Sequence, residues 1–142
     1  MFVRAAKESD LPRLYPLVCA VAGRLLPQEV FAAICRGIFA DRLRRLVVAT
    51  EGEELLGYGE LQARLDLARC CVTAEVCQLY VRPENRGARV GTALLLALFR
   101  EGKILKADQL MANCSRVDLK NQAFFERHGF VRSMYQYEKP IK

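Results

Sequence analysis

The sequence is short of the residues that mark several large classes of site. Its single histidine, His128, comes with no metal-ligand spacing, so no zinc or other metal centre is expected. The six cysteines, Cys19, Cys35, Cys70, Cys71, Cys77 and Cys114, form no C-x-x-C pair. Most of them lie in apolar periodic segments, which implies reduced, mostly buried thiols and a cytoplasmic setting. The longest apolar run, Ala93 to Phe99, is far short of the ~20 residues a membrane span needs. Met1 to Arg4 leads straight into charged sequence, so no signal peptide is expected. With no repeat, low-complexity tract or linker, residues 1–142 are expected to form one domain.

What is present is a soluble globular composition with a formal net charge of +6. That surplus points to an anionic partner. The arginines and lysines are spread along the chain rather than interleaved with aromatics, which argues against nucleic acid. A polyphosphate on a small ligand would use the same charge more economically.

Periodicity gives an element order. "FVRAA" alternates as a strand, and "SDLPRLYPLVCAVAGRLL" reads as a helix with Ser9 as N-cap, Pro12 in its first turn and a break at Pro16. Pro27 starts a second helix reaching about Arg42. "RLVVAT" and "LLGYGELQARL" flank the turn "EGEE" as a hairpin, and "CCVTAEVCQLYV" is the next strand. A helix from Val90 to a C-cap at Gly102 follows, then the strand "DQLMANC", the helix "LKNQAFFERH" and a final strand or pair in "GFVRSMYQYEKPI". This order predicts an α+β fold, its sheet antiparallel at one end and parallel at the strand–helix–strand crossover.

The segment "RPENRGARVGTAL" joins an apolar strand directly to an apolar helix. Such a junction presents unpaired amides and the positive end of a helix dipole, which together suit an anion. Gly87 and Gly91 let a ligand approach the backbone, and Arg86 and Arg89 can add forked contacts to phosphate oxygens. It is not a P-loop, since Thr92-Ala93 follows Gly91 where lysine and a hydroxyl residue belong. Nor is it the G-x-G-x-x-G dinucleotide fingerprint. A plain basic turn capping a helix is the alternative reading of the segment alone.

"LYVRPENRGARVGTALL" resembles the acetyl-CoA motif of the GNAT superfamily of N-acyltransferases, V-x-P-x-x-R-G-x-G-(I/V)-G-x-x-L. Val81, Pro83, Arg86, Gly87, Val90, Gly91 and Leu94 fill it, with Arg89 in place of the middle glycine. "FFERHGF" is similar to the family's F-Y-x-x-x-G-F signature, with Phe125 at the tyrosine position. The resemblance implies a mixed sheet of six to seven strands with about four helices, and acetyl-CoA as co-substrate without a metal. It implies that Leu79, Tyr80 and Val81 hold the pantetheine arm through their backbone. The diphosphate would then sit on the amides of Arg86, Gly87, Ala88, Arg89, Val90, Gly91 and Thr92. Asn121 and Asn113 could bond the arm's amides, and Phe125 could pack against it. Capping and core packing are the plain alternatives for these last three.

Acetyl transfer to an amine needs the neutral amine, whereas a lysine-like amine with pKa ~10.4 is protonated near neutrality. A positioned base is therefore expected. Glu75, six residues before Val81, leads because some family members carry their catalytic glutamate there; a solvated strand end is the alternative. Period-two counting points it with Cys77, Leu79 and Val81 unless a bulge intervenes. Glu60 is the second candidate. Phe125 has no proton for the leaving thiolate, which leaves Tyr80, Tyr135 or water. Cys114 reads as a small buried residue, and His128 as a cation at a helix end.

The expected activity is transfer of acetyl from acetyl-CoA to a small-molecule or peptide amine in a ternary complex. A non-catalytic acyl-CoA-binding module is the alternative, and a nucleic-acid-binding domain a distant third. The acceptor region, Leu14 to Asp41 and Asp66 to Cys71, has no acidic cluster, which argues against a polybasic acceptor. The ending is also like that of bacterial small-molecule members, aminoalkylphosphonate acetyltransferases among them. Final strands and helix faces could pair protomers, which leaves a homodimer open.

Overall fold

Alternating and apolar segments in the first half of the chain pair with their sequence neighbours. In the computed structural model, which describes residues 1–142, β1 (Phe2–Ala5), β2 (Arg44–Glu51), β3 (Glu54–Asp66) and β4 (Cys71–Val81) form an antiparallel meander. β5 (Gln109–Ala112) adds to β4 in parallel, so the sheet order is the chain order. The connection from β4 to β5 runs through α3 (Val90–Ile104), the crossover that a parallel pair requires.

Strand alternation sends successive side chains to opposite faces. Val48 and Tyr58 meet Leu14 of α1 (Leu11–Ala22) and Phe31 and Ile38 of α2 (Gln28–Ala40). Val47, Leu61 and Val76 meet Leu94 and Leu98 of α3, with Phe125 of α4 (Leu119–Arg127) closing that cluster. Each fully buried aliphatic side chain here contributes roughly 1.5–3 kcal/mol. The close seat of α3 depends on Gly59, where an added Cβ would lie 2.9 Å from Leu98 Cδ1.

Four sequence expectations are corrected. Ser9 lies in a 3-10 turn, Glu8–Asp10, and Asp10 precedes α1 instead. Asp10 is fully buried and accepts hydrogen bonds from Arg4 (2.7 and 2.8 Å), Arg13 (3.1 Å) and the Lys7 amide (2.9 Å). The Arg4 bonds first, and the Lys7 amide and both arginine charges after them, hold its carboxyl below the usual range. α1 runs unbroken through Pro16, because a single missing donor is outweighed by the packing of Leu14 and Leu17. Gly102 lies inside α3, which continues to Ile104, and is buried against Ala74. The sheet has five strands rather than six or seven: residues 131–142 are exposed and add no strand to it.

Candidate active site

β4 and β5 pair only from Thr73–Val76 to Gln109–Ala112, and β4 then continues to Val81 with its β5 side unpaired. β5 ends at Ala112, and the cleft is the open edge of β4 that follows. On the other side, β4 stays bonded to β3, with Tyr80 opposite Tyr58 and its carbonyl against Gly57. The Arg82 amide likewise donates to Leu56. Backbone groups alternate along a strand, so those of Leu79 and Val81 face the cleft while those of Tyr80 serve the β3 ladder. Arg86 Nε donates to the Val81 carbonyl at 2.9 Å.

The cleft opens toward the loop before α3. The Arg86 amide is used by Pro83, but those of Gly87, Ala88, Arg89, Val90, Gly91 and Thr92 donate to no carbonyl; Ala93 is the first helical donor, to Arg89. A run of free amides at the start of a fifteen-residue helix can cradle an anion. Gly87 has φ +84 and Arg89 φ +65, so the loop needs two left-handed residues. That explains why glycine is usual at the Arg89 position: a side chain there is strained by ~1–2 kcal/mol.

α4 braces this loop. Phe124 packs on Gly91, where an added Cβ would lie 3.4 Å from the ring. His128 Nδ1 lies 2.7 Å from the Phe124 carbonyl, an acceptor only, so Nδ1 carries hydrogen. Nε2 lies 3.1 Å from Thr92 Oγ1, so the imidazole ties the end of α4 to the first turn of α3. Sequence reading placed His128 at the helix end and missed this link, which only the tertiary fold creates. Phe125 is buried in the core between Phe124 and Phe130. Asn121 sits in the first turn of α4, its amide capped by Asp118.

The opposite face of β4 carries the candidate bases. Glu60 opposes Gln78 and Leu61 opposes Val76, so Cys77 is an extra residue in a bulge. The bulge breaks the period-two count: Val76, Leu79 and Val81 face the α3 core, and Glu75, Gln78 and Tyr80 face the α1/α2 side. Glu75 therefore does not point with Leu79 and Val81, and it shares its face with Glu60. Burial pushes the Cys77 thiol up to about 11, with the charges of Glu60 and then Glu75 adding. Burial, then Glu60, likewise pushes Cys35 up to about 11. Both thiols are thus protonated at neutral pH and poor nucleophiles.

Each carboxylate has a partner. Asn113 donates to Glu75, and Arg44, which sequence reading missed, pairs with Glu60. The Tyr58 hydroxyl donates to Gln78 beside them. Tyr80 lies on this face beneath the Arg86 guanidinium, 5.5 Å from its ring centroid, whereas Tyr135 stands on the exposed tail. All six cysteines are free: Cys19 and Cys35 are buried, Cys70 is exposed and the others are half-buried, fewer buried than expected.

A parallel strand pair whose open edge leads to free helix-start amides, on a five-stranded mixed sheet with four helices, is the fold of acetyltransferases. An aminoglycoside N-acetyltransferase, AAC(6')-Iy, solved in complex with CoA, shares it at a TM-score of 0.87 and 17% identity, over 97% of this chain and 93% of that one. So does a structure described as a transcriptional regulator from Bacillus halodurans C-125, at a TM-score of 0.90 and 19% identity over 99% of both chains. Residues 42–132 match the acetyltransferase (GNAT) domain family, and the chain belongs to it. It is also 24% identical over 141 residues to the aminoalkylphosphonate N-acetyltransferase of Salmonella typhimurium, covering 98% of this chain and 90% of that protein. No helix is long and apolar enough to cross a membrane.

Proposed function

We propose that this protein transfers the acetyl group of acetyl-CoA to the primary amine of a small molecule, directly within a ternary complex. The observation that carries the reading is the continuity of the β4–β5 cleft with the free amides of Gly87 to Thr92. The pantetheine arm lies along the cleft edge of β4, bonded by the backbone of Leu79 and Val81, and the diphosphate sits on the amides. Tyr80 contributes its ring on the acceptor side rather than its backbone. Asn121, in the first turn of α4, reaches the arm, and Phe125 supports it from within the core.

In the reaction the amine nitrogen attacks the thioester carbonyl carbon, the C–S bond breaks, and CoA leaves as thiolate. The Leu79 N–H donates to the carbonyl oxygen as it gains charge. Glu75 takes the amine's proton, directly or through a water; its contact to Asn113 is a neutral amide bond that orients it. Glu60, held by Arg44, forms the wall of the amine subsite. Solvent protonates the thiolate, since Phe125 supplies no proton and a thiol of pKa ~8.5 makes a tolerable leaving group. The raised Cys35 and Cys77 thiols favour direct transfer over an acyl-cysteine intermediate. The Salmonella relative's name supports a small amine as acceptor, with aminoalkylphosphonates the first to try.

The test is calorimetric titration with acetyl-CoA, paired with thiol release against aminoalkylphosphonates, amino acids and plain alkylamines. Binding with amine-dependent release that collapses in Glu75→Gln is the expected result. Binding without release from any amine would mark a non-catalytic acyl-CoA module. Absence of binding at high micromolar acetyl-CoA would overturn both.

A further inference from the structure

The α1/α2 face of the sheet is covered only in part. Leu46 and Tyr58 are buried beneath α1 and α2, whereas Gln62, Arg64 and Gln109 on the same face are exposed. Strand register sets these residues in rows. Gln62, Glu75 and Met111 are neighbours across β3, β4 and β5, and Arg64, Thr73 and Gln109 form the next row. Glu75 and Arg64 therefore stand diagonally on adjacent strands, about 7–8 Å apart at the backbone.

Charge on this face is unevenly paired. Arg44 is tied to Glu60, and Arg69 in the β3–β4 turn lies 3.8 Å from Asp66. Glu75 accepts from the Asn113 side-chain amide, which leaves its charge uncompensated. Arg64 has no acidic partner. Thr73, opposite Arg64, is fully buried, and its hydroxyl has no hydrogen-bond partner. Adjacent rows thus carry a free carboxylate, a free guanidinium and an unmet hydroxyl.

We propose that the acceptor is an amine joined by a short carbon spacer to a carboxylate or phosphonate, with its oxyanion on Arg64 and its amine at Glu75. The inference rests on acetyl transfer to a small amine and adds what selects that amine. A guanidinium presents a planar fork that matches two oxyanion oxygens. Being unpaired, Arg64 meets the anion without first giving up a partner, whereas Arg44 would have to leave Glu60. Thr73 gains an acceptor for its hydroxyl, from the anion or from a water bound to it. A plain alkylamine meets Glu75 and leaves Arg64 unused, so it binds more weakly.

Calorimetric titration of the CoA-saturated protein with 2-aminoethylphosphonate, β-alanine and ethylamine tests this, since all three share one spacer length and differ in the anion. The two anionic amines should bind ~10–100-fold more tightly than ethylamine. Arg64→Gln should bring them within ~3-fold of ethylamine. Arg64→Lys, which keeps the charge without the fork, should restore part of the difference and serves if the glutamine variant fails to fold. In thiol-release assays Arg64→Gln should raise the KM of the anionic amines and leave their kcat, a split that general damage to the fold does not produce. Anionic amines that bind no tighter than ethylamine overturn the proposal. So does a folded Arg64→Gln that keeps the wild-type preference. Preferential binding without thiol release upholds the anion subsite and counts against acetyl transfer alone.

Discussion

On the α3 side of the sheet the candidate ligand groups belong to the backbone: the amides of Gly87 to Thr92 and the cleft edge of Leu79 and Val81. On the α1/α2 side they are side chains: Glu75 with Asn113, Glu60 with Arg44, and Tyr58 with Gln78. A backbone site survives substitution as long as the loop keeps its course, so it recurs with recognisable spacing. A site made of side chains changes with each substitution and carries selectivity. The difference teaches that donor recognition and acceptor chemistry should be separable by mutation, although both sets of groups lie along one strand, β4.

The severest test of separability is the support under the acceptor side. Asp10→Ala leaves Arg4 and Arg13 without their shared carboxylate and should destabilise the fold by about 3–5 kcal/mol, read from thermal or denaturant unfolding. Because the folded Asp10 carboxyl titrates below its unfolded value of ~3.9, its contribution is present above that value and lost as pH falls through the lowered one. The wild type should therefore lose an increment of stability on acidification below about pH 5 that Asp10→Ala does not. Acetyl-CoA affinity of the folded variant should be unchanged.

Next come the two carboxylates. Glu75→Gln should lower kcat ~100-fold, ~2.7 kcal/mol of barrier, with acetyl-CoA affinity intact. Glu60→Gln should instead raise the amine KM and cost more stability than Glu75→Gln, because it unpairs Arg44 in a half-buried site. If Glu60→Gln gave the kcat effect and Glu75→Gln the KM effect, their roles would be exchanged. A smaller change is expected at the brace between helices. Thr92→Val or His128→Gln should weaken acetyl-CoA binding by ~5-fold, ~1 kcal/mol, and leave the amine KM alone.

The same contrast governs what the sequence reveals. Strand β4, the loop and α3 could be placed because glycines, proline and an apolar helix announce a backbone course. The pairing of Glu75 with Asn113 and of Glu60 with Arg44 could not, since each joins residues far apart in the chain. The bulge at Cys77 was equally hidden: it exists only in the register with Glu60 and Leu61, and it alone decides which face Glu75 occupies. At Gly102 a cap signal lost to packing against Ala74, which prolongs α3 by half a turn. In the tail, the final strand expected from its aromatic and branched residues does not form: residues 131–142 are exposed and outside the sheet.

The smallest effect is expected where the sequence departs most visibly from the family pattern. Arg89 holds φ +65, so Arg89→Gly relieves ~1–2 kcal/mol of strain while adding ~0.5–1 kcal/mol of unfolded-chain entropy. The net gain in stability should be about 0.5–1 kcal/mol. Acetyl-CoA affinity should fall only ~2–3-fold from the lost charge, ~0.5 kcal/mol, and the difference should shrink in high salt. The reason is that the free amide of residue 89 remains when the side chain is gone. A loss beyond ~30-fold, ~2 kcal/mol, would mean that the guanidinium and not the amides holds the diphosphate. In that case the contrast between a backbone-made donor site and a side-chain-made acceptor site fails at its clearest point.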